Sequence, residues 1–299
     1  MASAVQVILV DPVEGAEDYA RCRLDELERH WSRFLPESDI SRLNTAPEAF
    51  VVVSPDTVVL LNTMKHAWRQ THGRYDPSML SAINAAGYVK SIDESNRTSR
   101  MARRPSLGHT IDDVTIDAAT AAVFVPSGLG LDPGGIGKGL AADMVVTELL
   151  DAGTGGALVG VGGDLAAAGT PPTAEGWYVA VKHPLDLSRE LMTLTLDSGG
   201  VATSSTLTRT WAHNGRQRHH VIDPSTRSCA TTDLAAVTVV AGAGWQAEAH
   251  ATAALLCGSD RALDYLESHR LDGIATTLDG ATSMSPALER VCAGEWSPA

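Results

Sequence analysis

The sequence predicts an α+β fold, and three observations predict it. The first third of the 299-residue chain carries apolar residues at three-to-four spacing, the period of amphipathic helices. From Thr115 the pattern changes to strand, turn and helix. Beyond about residue 155, the runs GALVGV, WYVAVKH, LMTLTL and LAAVTVVA read as strands, with helices returning near the C-terminus. Composition agrees, because 44% hydrophobic and 20% charged residues are ordinary for a globular chain with a real core. Residues 1–299 are read as one domain of mixed sheets with packed helices, in two intimate lobes whose division is placed near residue 110.

The elements follow in order. MASAVQVILVDP has no basic leader, and its apolar run stops at Asp11, so it reads as a strand rather than a signal peptide. Glu14 to Phe34 sets Tyr19, Cys22, Leu24, Leu27 and Trp31 on one helical face; PESDIS then reads as a polar turn. A second helix runs from about Asp56 to His72, with Val59, Leu60, Met64 and Trp68 on one face and Gly73 as its stop. A short helix spans Pro77 to Ala86, and residues 91–109 read as a long surface loop. After the strand region that begins at Thr115 come a glycine-rich turn, LDPGGIGKG, and a helix, LAADMVVTELLDAG. GALVGVGGDLAAAG is a buried strand ending in a tight glycine turn. RQRHHVIDPSTR is a polar strand or turn, and DLAAVTVVAG is the most strand-like run in the chain. Helices from about Trp245 to Cys257 and Arg261 to Ser268, then a last strand around Gly273 to Thr277, complete the order.

Charge narrows the partners. With 23 basic and 36 acidic residues the net charge is −13, a field that repels nucleic acid and anionic membrane surfaces. No stretch is long and apolar enough to span a bilayer. Cys22, Cys229, Cys257 and Cys292 are far apart and form no C-x-x-C pair, which disfavours a zinc or dithiol site and fits a reducing compartment. With no export signal, the expected location is cytoplasmic. A phosphate-bearing ligand must then be held by local devices, and Lys138, one of only four lysines, stands inside the glycine-rich turn.

Three constellations could carry chemistry. In Asp132-Pro-Gly-Gly-Ile-Gly-Lys138-Gly139, backbone N–H groups, a helix N-terminus and an ammonium group converge, as phosphate binding requires; a packing turn with a solvated lysine is the alternative. It is neither a Walker A loop nor G-x-G-x-x-G. His219-His220 precedes Val-Ile-Asp-Pro, and either histidine could be a base, a metal ligand or a surface residue. Glu248 and Thr252 stand at i and i+4 of a predicted helix, two hard oxygen ligands on one face that could hold Mg²⁺, or a solvated glutamate and a back-bonded threonine.

Taken in order, eight segments resemble the ApbE-type flavin transferases: MASAVQV, SRFLPESDISRLN, GRYDPSM, LDPGGIGKGLAAD, GALVGVGGDLAAAG, VATSSTLTRTW, RHHVIDPSTR and AEAHATAALLCG. The resemblance runs from Met1 to about Gly258. It implies a Mg²⁺-dependent transfer of FMN from FAD to a Ser/Thr hydroxyl of an acceptor protein, with AMP released, around a central flavin cleft. It further implies Gly135 (through its carbonyl), Glu248 and Thr252 at the metal. Flavin and adenosine contacts would come from Met1, Phe34, Arg74, Tyr75, Asp76, Asp132, Lys138 and Ile222, and His220 would act as base. The sequence departs from the pattern in four places. Glu248 stands where the family usually has aspartate, Ser205 and Arg227 stand in place of glycines, and Ala2-Ser3 replaces Gly-Thr. His250, near the metal face, is read as pointing elsewhere. An FAD carrier or sensor, an FAD pyrophosphatase, and a different phosphoryl-transfer enzyme resting only on the Gly-Lys loop are the alternatives.

Overall fold

A computed structural model describes residues 4–46, 48–91, 97–99 and 108–291. Met1 and most of the loop expected over residues 91–109 lie outside them. The chain divides into two compact units. One gathers the described residues of Leu24–Gly137 and Arg209–Ala230, the other those of Ser3–Arg23, Lys138–Thr208 and Thr231–Ala299.

The second unit is built on a seven-stranded sheet in the order Val5–Val10, Gly156–Val161, Asp164–Gly169, Gly199–Ser205, Leu234–Ala241, Asp272–Thr277 and Thr282–Met284. Every neighbouring pair is antiparallel. The run GALVGVGGDLAAAG, expected as one strand and a turn, forms a whole hairpin. Val161 pairs with Asp164 across Gly162 and Gly163, whose φ values of 61° and 97° suit a two-residue turn that twists with its strands. The strand at Asp272–Thr277 is not the last element, because Thr282–Met284 pairs with it and the helix Pro286–Val291 follows. Three residues are too few to show a period of two, so the sequence could not announce that edge strand.

Alternation along the strands sorts the two faces. Leu158, Leu165, Val201 and Ile274 point to one side, where Trp177, Val179, Val181, Leu194 and Leu196 of the hairpin Trp177–His183/Asp186–Leu196 cover them. Gly200, next to Val201, faces the other side and meets the helix Gly244–Leu255. A Cβ on Gly200 would lie 2.3 Å from Gly244 N, and one on Gly139 would lie 2.3 Å from Gly244 C. Both are backbone clashes that no rotamer relieves, so glycine at 139, 200 and 244 sets how closely the helix Gly137–Asp151, the sheet and the helix Gly244–Leu255 approach.

The first unit is mainly helical, with a small sheet in the order Phe50–Val52, Ala122–Phe124, Thr115–Asp117 and two short hairpins, Thr210–His213/Arg216–His219 and Ile222–Asp223/Ser228–Cys229. The helix Pro55–Gln70 begins with a Ser54 side chain accepting from Thr57 N and a proline in its first turn, and ends before Gly73 at φ 75°. The expected turn at PESDIS instead launches a helix, Asp39–Thr45, capped by the Ser38 side chain accepting from Ser41 N at 3.0 Å. It buries polar Asn44, whose amide exchanges hydrogen bonds with Leu131 N and O at 2.7 and 2.9 Å. In a seven-residue helix that buries Asp39, Ser41 and Asn44 beside Ile40 and Leu43, one apolar pair is too short a stripe to read. Among the described residues, no helix is long and apolar enough to cross a membrane.

Candidate functional site

Lys138 lies in the first turn of the helix Gly137–Asp151, straight after the glycine-rich loop. Its ammonium is paired rather than free in solvent. It pairs with Asp164 Oδ2 and stands 3.0 Å from Glu248 Oε1, and the three side chains are 17%, 3% and 4% exposed. Asp164 follows the Gly162–Gly163 turn and accepts from Thr203 N at 3.0 Å with its other oxygen. Glu248 Oε2 accepts from Gly139 N at 2.9 Å, so this carboxylate sits on the positive end of the Lys138 helix. Its Oε1 is buried and receives no hydrogen bond. Thr252, one turn further on, shares a 2.9 Å hydroxyl contact with Ser204. Thr203 and Thr238 make a similar one at 2.8 Å.

The two helices exchange caps. Asp143, on the Lys138 helix, accepts from Gly244 N and Trp245 N at 2.7 and 2.9 Å, at the start of the helix that bears Glu248 and Thr252. Burial pushes the Asp143 carboxyl up to about 6, against the pull of these two amides, and the Glu248 charge adds to the rise. The folded chain therefore holds a proton that the unfolded chain releases near 3.8. The stability tied to it is present below about pH 3.8 and lost as pH rises through about 6, by at most about 3 kcal/mol, less for the solvent that reaches the group. Asp143→Asn lacks this titration. Between about pH 3.5 and pH 7 its stability, measured by chemical denaturation, is expected to gain on the parent's; a pH-independent difference would contradict this.

The donor chemistry fits a hard divalent cation. Among the described residues no three His, Cys, Asp or Glu side chains gather as a metal cluster, so a cation bound here would rely on carboxylate and hydroxyl oxygens together. Glu248 Oε1, buried and facing a cation already, is an oxygen of that kind. His250 is turned to other partners. It is 1% exposed, its Nδ1 lies 2.8 Å from Tyr265 Oη, and burial, with the His269 charge second, lowers its pKa to about 4.

In the first unit, Arg33 is buried with its guanidinium 4.2 Å from the Phe34 ring centroid and 4.8 Å from that of Tyr88. Tyr88 stacks on Trp211 at 5.0 Å, and Trp211 Nε1 donates to Ala86 O at 2.8 Å. Arg33 Nε also stands 3.4 Å from Asp132 Oδ2, so Phe34 and Asp132 belong to one network. Ile222 packs with Met79, Leu80, Ala82, Ile83 and Tyr88. Tyr75 is buried and Arg74 is exposed. Asp76 accepts from Ser78 N and Oγ at 2.8 and 2.6 Å. Gly135 lies in the loop before Lys138. His219 ends its strand with Nε2 3.1 Å from Ala230 O, and burial lowers its pKa. His220 follows in a bend, half-buried.

Residues 1–276 match the ApbE family. The chain belongs to this family. Relatives named FAD:protein FMN transferase include one from Haemophilus influenzae, 25% identical over 259 residues covering 83% of this chain and 74% of that protein. Another, from Klebsiella pneumoniae, is 25% identical over 317 residues covering 97% of this chain and 86% of its own. The fold matches the ApbE protein of Thermotoga maritima with a TM-score of 0.83 at 24% identity, covering 98% of this chain and 96% of that one. It matches the apo form of Pseudomonas stutzeri flavinyl transferase ApbE with a TM-score of 0.79 at 23% identity, covering 99% and 95%. The predicted α+β class of mixed sheets with packed helices is that of these ApbE structures.

The sequence reading gave no role to Asp143, Asp164 or Arg33. Asp143 and Asp164 lie inside quoted motifs, LAAD and GGD, and only at Asp164 did a carboxylate beside glycine offer a signal. Arg33 offered none.

Proposed function

We propose that this chain transfers FMN from FAD to an acceptor protein, as its relatives' names suggest, and that it does so onto a serine or threonine hydroxyl with Mg²⁺. The observation that carries the reading is the buried Lys138–Asp164–Glu248 cluster at a helix N-terminus beside Thr252. A chain of net charge −13 there concentrates a cation and hard oxygens where a pyrophosphate needs both. Glu248 and Thr252, with the Gly135 carbonyl, would hold the metal. When bound, Mg²⁺ neutralises pyrophosphate charge and makes AMP a better leaving group.

The chain's own residues do the rest. His220 takes the proton from the acceptor hydroxyl at an imidazole nitrogen. That oxygen bonds to the FMN phosphorus as the bond to the AMP phosphate breaks, leaving a phosphoester-linked FMN. Lys138 offsets charge on the phosphates. Phe34, Arg74, Tyr75, Asp76, Asp132, Ile222 and Met1 orient the flavin and adenosine.

A second reading, an FAD carrier, rests on the Lys138–Glu248 pair, in which an ammonium stands at the carboxylate a metal would need; an FAD pyrophosphatase would use the same metal site with water as acceptor. AMP release separates the readings. Under the transferase reading AMP forms only with Mg²⁺ and an acceptor protein; AMP formed equally without acceptor is hydrolysis, and none under any condition is a carrier.

A further inference from the structure

Arg227 has no part in the reading above, yet its surroundings are specific. It closes the turn between Ile222–Asp223 and Ser228–Cys229 at φ 52°, a left-handed backbone that glycine adopts freely and arginine adopts at a cost. The turn itself is built by other groups. The Arg227 amide donates to Asp223 O at 2.7 Å, and the Asp223 carboxylate accepts from Ser225 N and Oγ at 2.8 and 2.7 Å. What distinguishes Arg227 from the glycine this backbone prefers is therefore its side chain.

That side chain reaches across to a distant segment. Nη2 donates to Ser81 Oγ at 3.0 Å, and Ser81, on the helix Leu80–Ala85, is 8% exposed. The guanidinium charge also acts on Asp76, five residues earlier. Burial pushes the Asp76 carboxyl up, the Ser78 hydrogen bonds pull it down, and Arg227 pulls in the same direction as Ser78.

We infer that Arg227 is a positioning residue for flavin binding, its Ser81 hydrogen bond tying the Ile222–Cys229 hairpin to the Asp76–Ser81 segment. This rests on the proposed function for the claim that Asp76 and Ile222 touch FAD. Ionisable groups on Asp76's own segment and on the elements joined to it include Arg74, Asp223 on the hairpin, and Asp132, whose amide donates to Pro77 O and whose carboxylate pairs with Arg33; His219 and His220 precede the hairpin in sequence.

The test compares the full-length parent with Arg227→Gly and Arg227→Lys. Glycine suits φ 52°, so the first variant removes the side chain without straining the turn. Two quantities are followed against pH: the Asp76 carboxyl titration in the ligand-free protein by carbon NMR, assigned with Asp76→Asn, and the Kd for FAD. In Arg227→Gly the Asp76 midpoint is expected to rise and FAD affinity to fall about threefold. Arg227→Lys is expected to recover most of both. An unchanged midpoint overturns the tie, and a shifted midpoint with unchanged FAD affinity overturns its role in binding. If the parent itself binds no FAD, the functional reading fails and takes the binding role with it, while the ligand-free titration still decides whether the tie exists.

Discussion

Glu248→Gln is expected to lower metal-dependent FMN transfer about 100-fold or more. The amide keeps a carbonyl oxygen that can accept from Gly139 N, so the helix start stays capped. What it loses is the charge facing Lys138 and the anionic oxygen offered to a divalent cation. Lys138 keeps Asp164 as partner, so no buried ammonium is stranded, and the stability cost is about 1–3 kcal/mol rather than that of an unpaired charge. Glu248→Asp provides the contrast. It retains the charge with one methylene less and is expected to keep metal-dependent turnover. Transfer rates against Mg²⁺ concentration check both; full activity in the glutamine variant, or complete loss in the aspartate variant, would contradict the assignment.

His220→Asn is expected to cut transfer by about 100- to 10,000-fold while leaving FAD affinity within about twofold, because a general base acts on the acceptor proton and not on flavin binding. His219 does not substitute for it, as its Nε2 is committed to Ala230 O. Single-turnover transfer and equilibrium FAD binding, measured on the same preparation, separate the two effects. Transfer that survives in the asparagine variant would remove His220 from the chemistry.

Periodicity exposes what lies along one element. Glu248 and Thr252 were legible as a pair because i and i+4 share a helical face, and Lys138 was legible because a lysine in a glycine-rich turn is unusual in so lysine-poor a chain. Groups that matter through distant partners were not legible. Asp143 caps a helix that starts about a hundred positions later, and Asp164 meets Lys138 only because the Gly162–Gly163 hairpin folds back. Arg33, with its neighbour Phe34, joins Tyr88 and Asp132 across segments that the sequence separates widely. The helix Asp39–Thr45 escaped for a related reason, since Asn44 is satisfied by Leu131 rather than by a neighbour in sequence. Local pattern fixes faces and turns, whereas buried polar networks are decided by tertiary contacts.

The central claim is tested most directly by intact-mass analysis of an acceptor protein bearing a Gly-Ala-Ser/Thr segment, incubated with this chain and FAD, with and without Mg²⁺. A mass gain of one FMN that requires the metal is the predicted result. No gain with FAD still tightly bound, or free FMN and AMP with the acceptor unmodified, would contradict it.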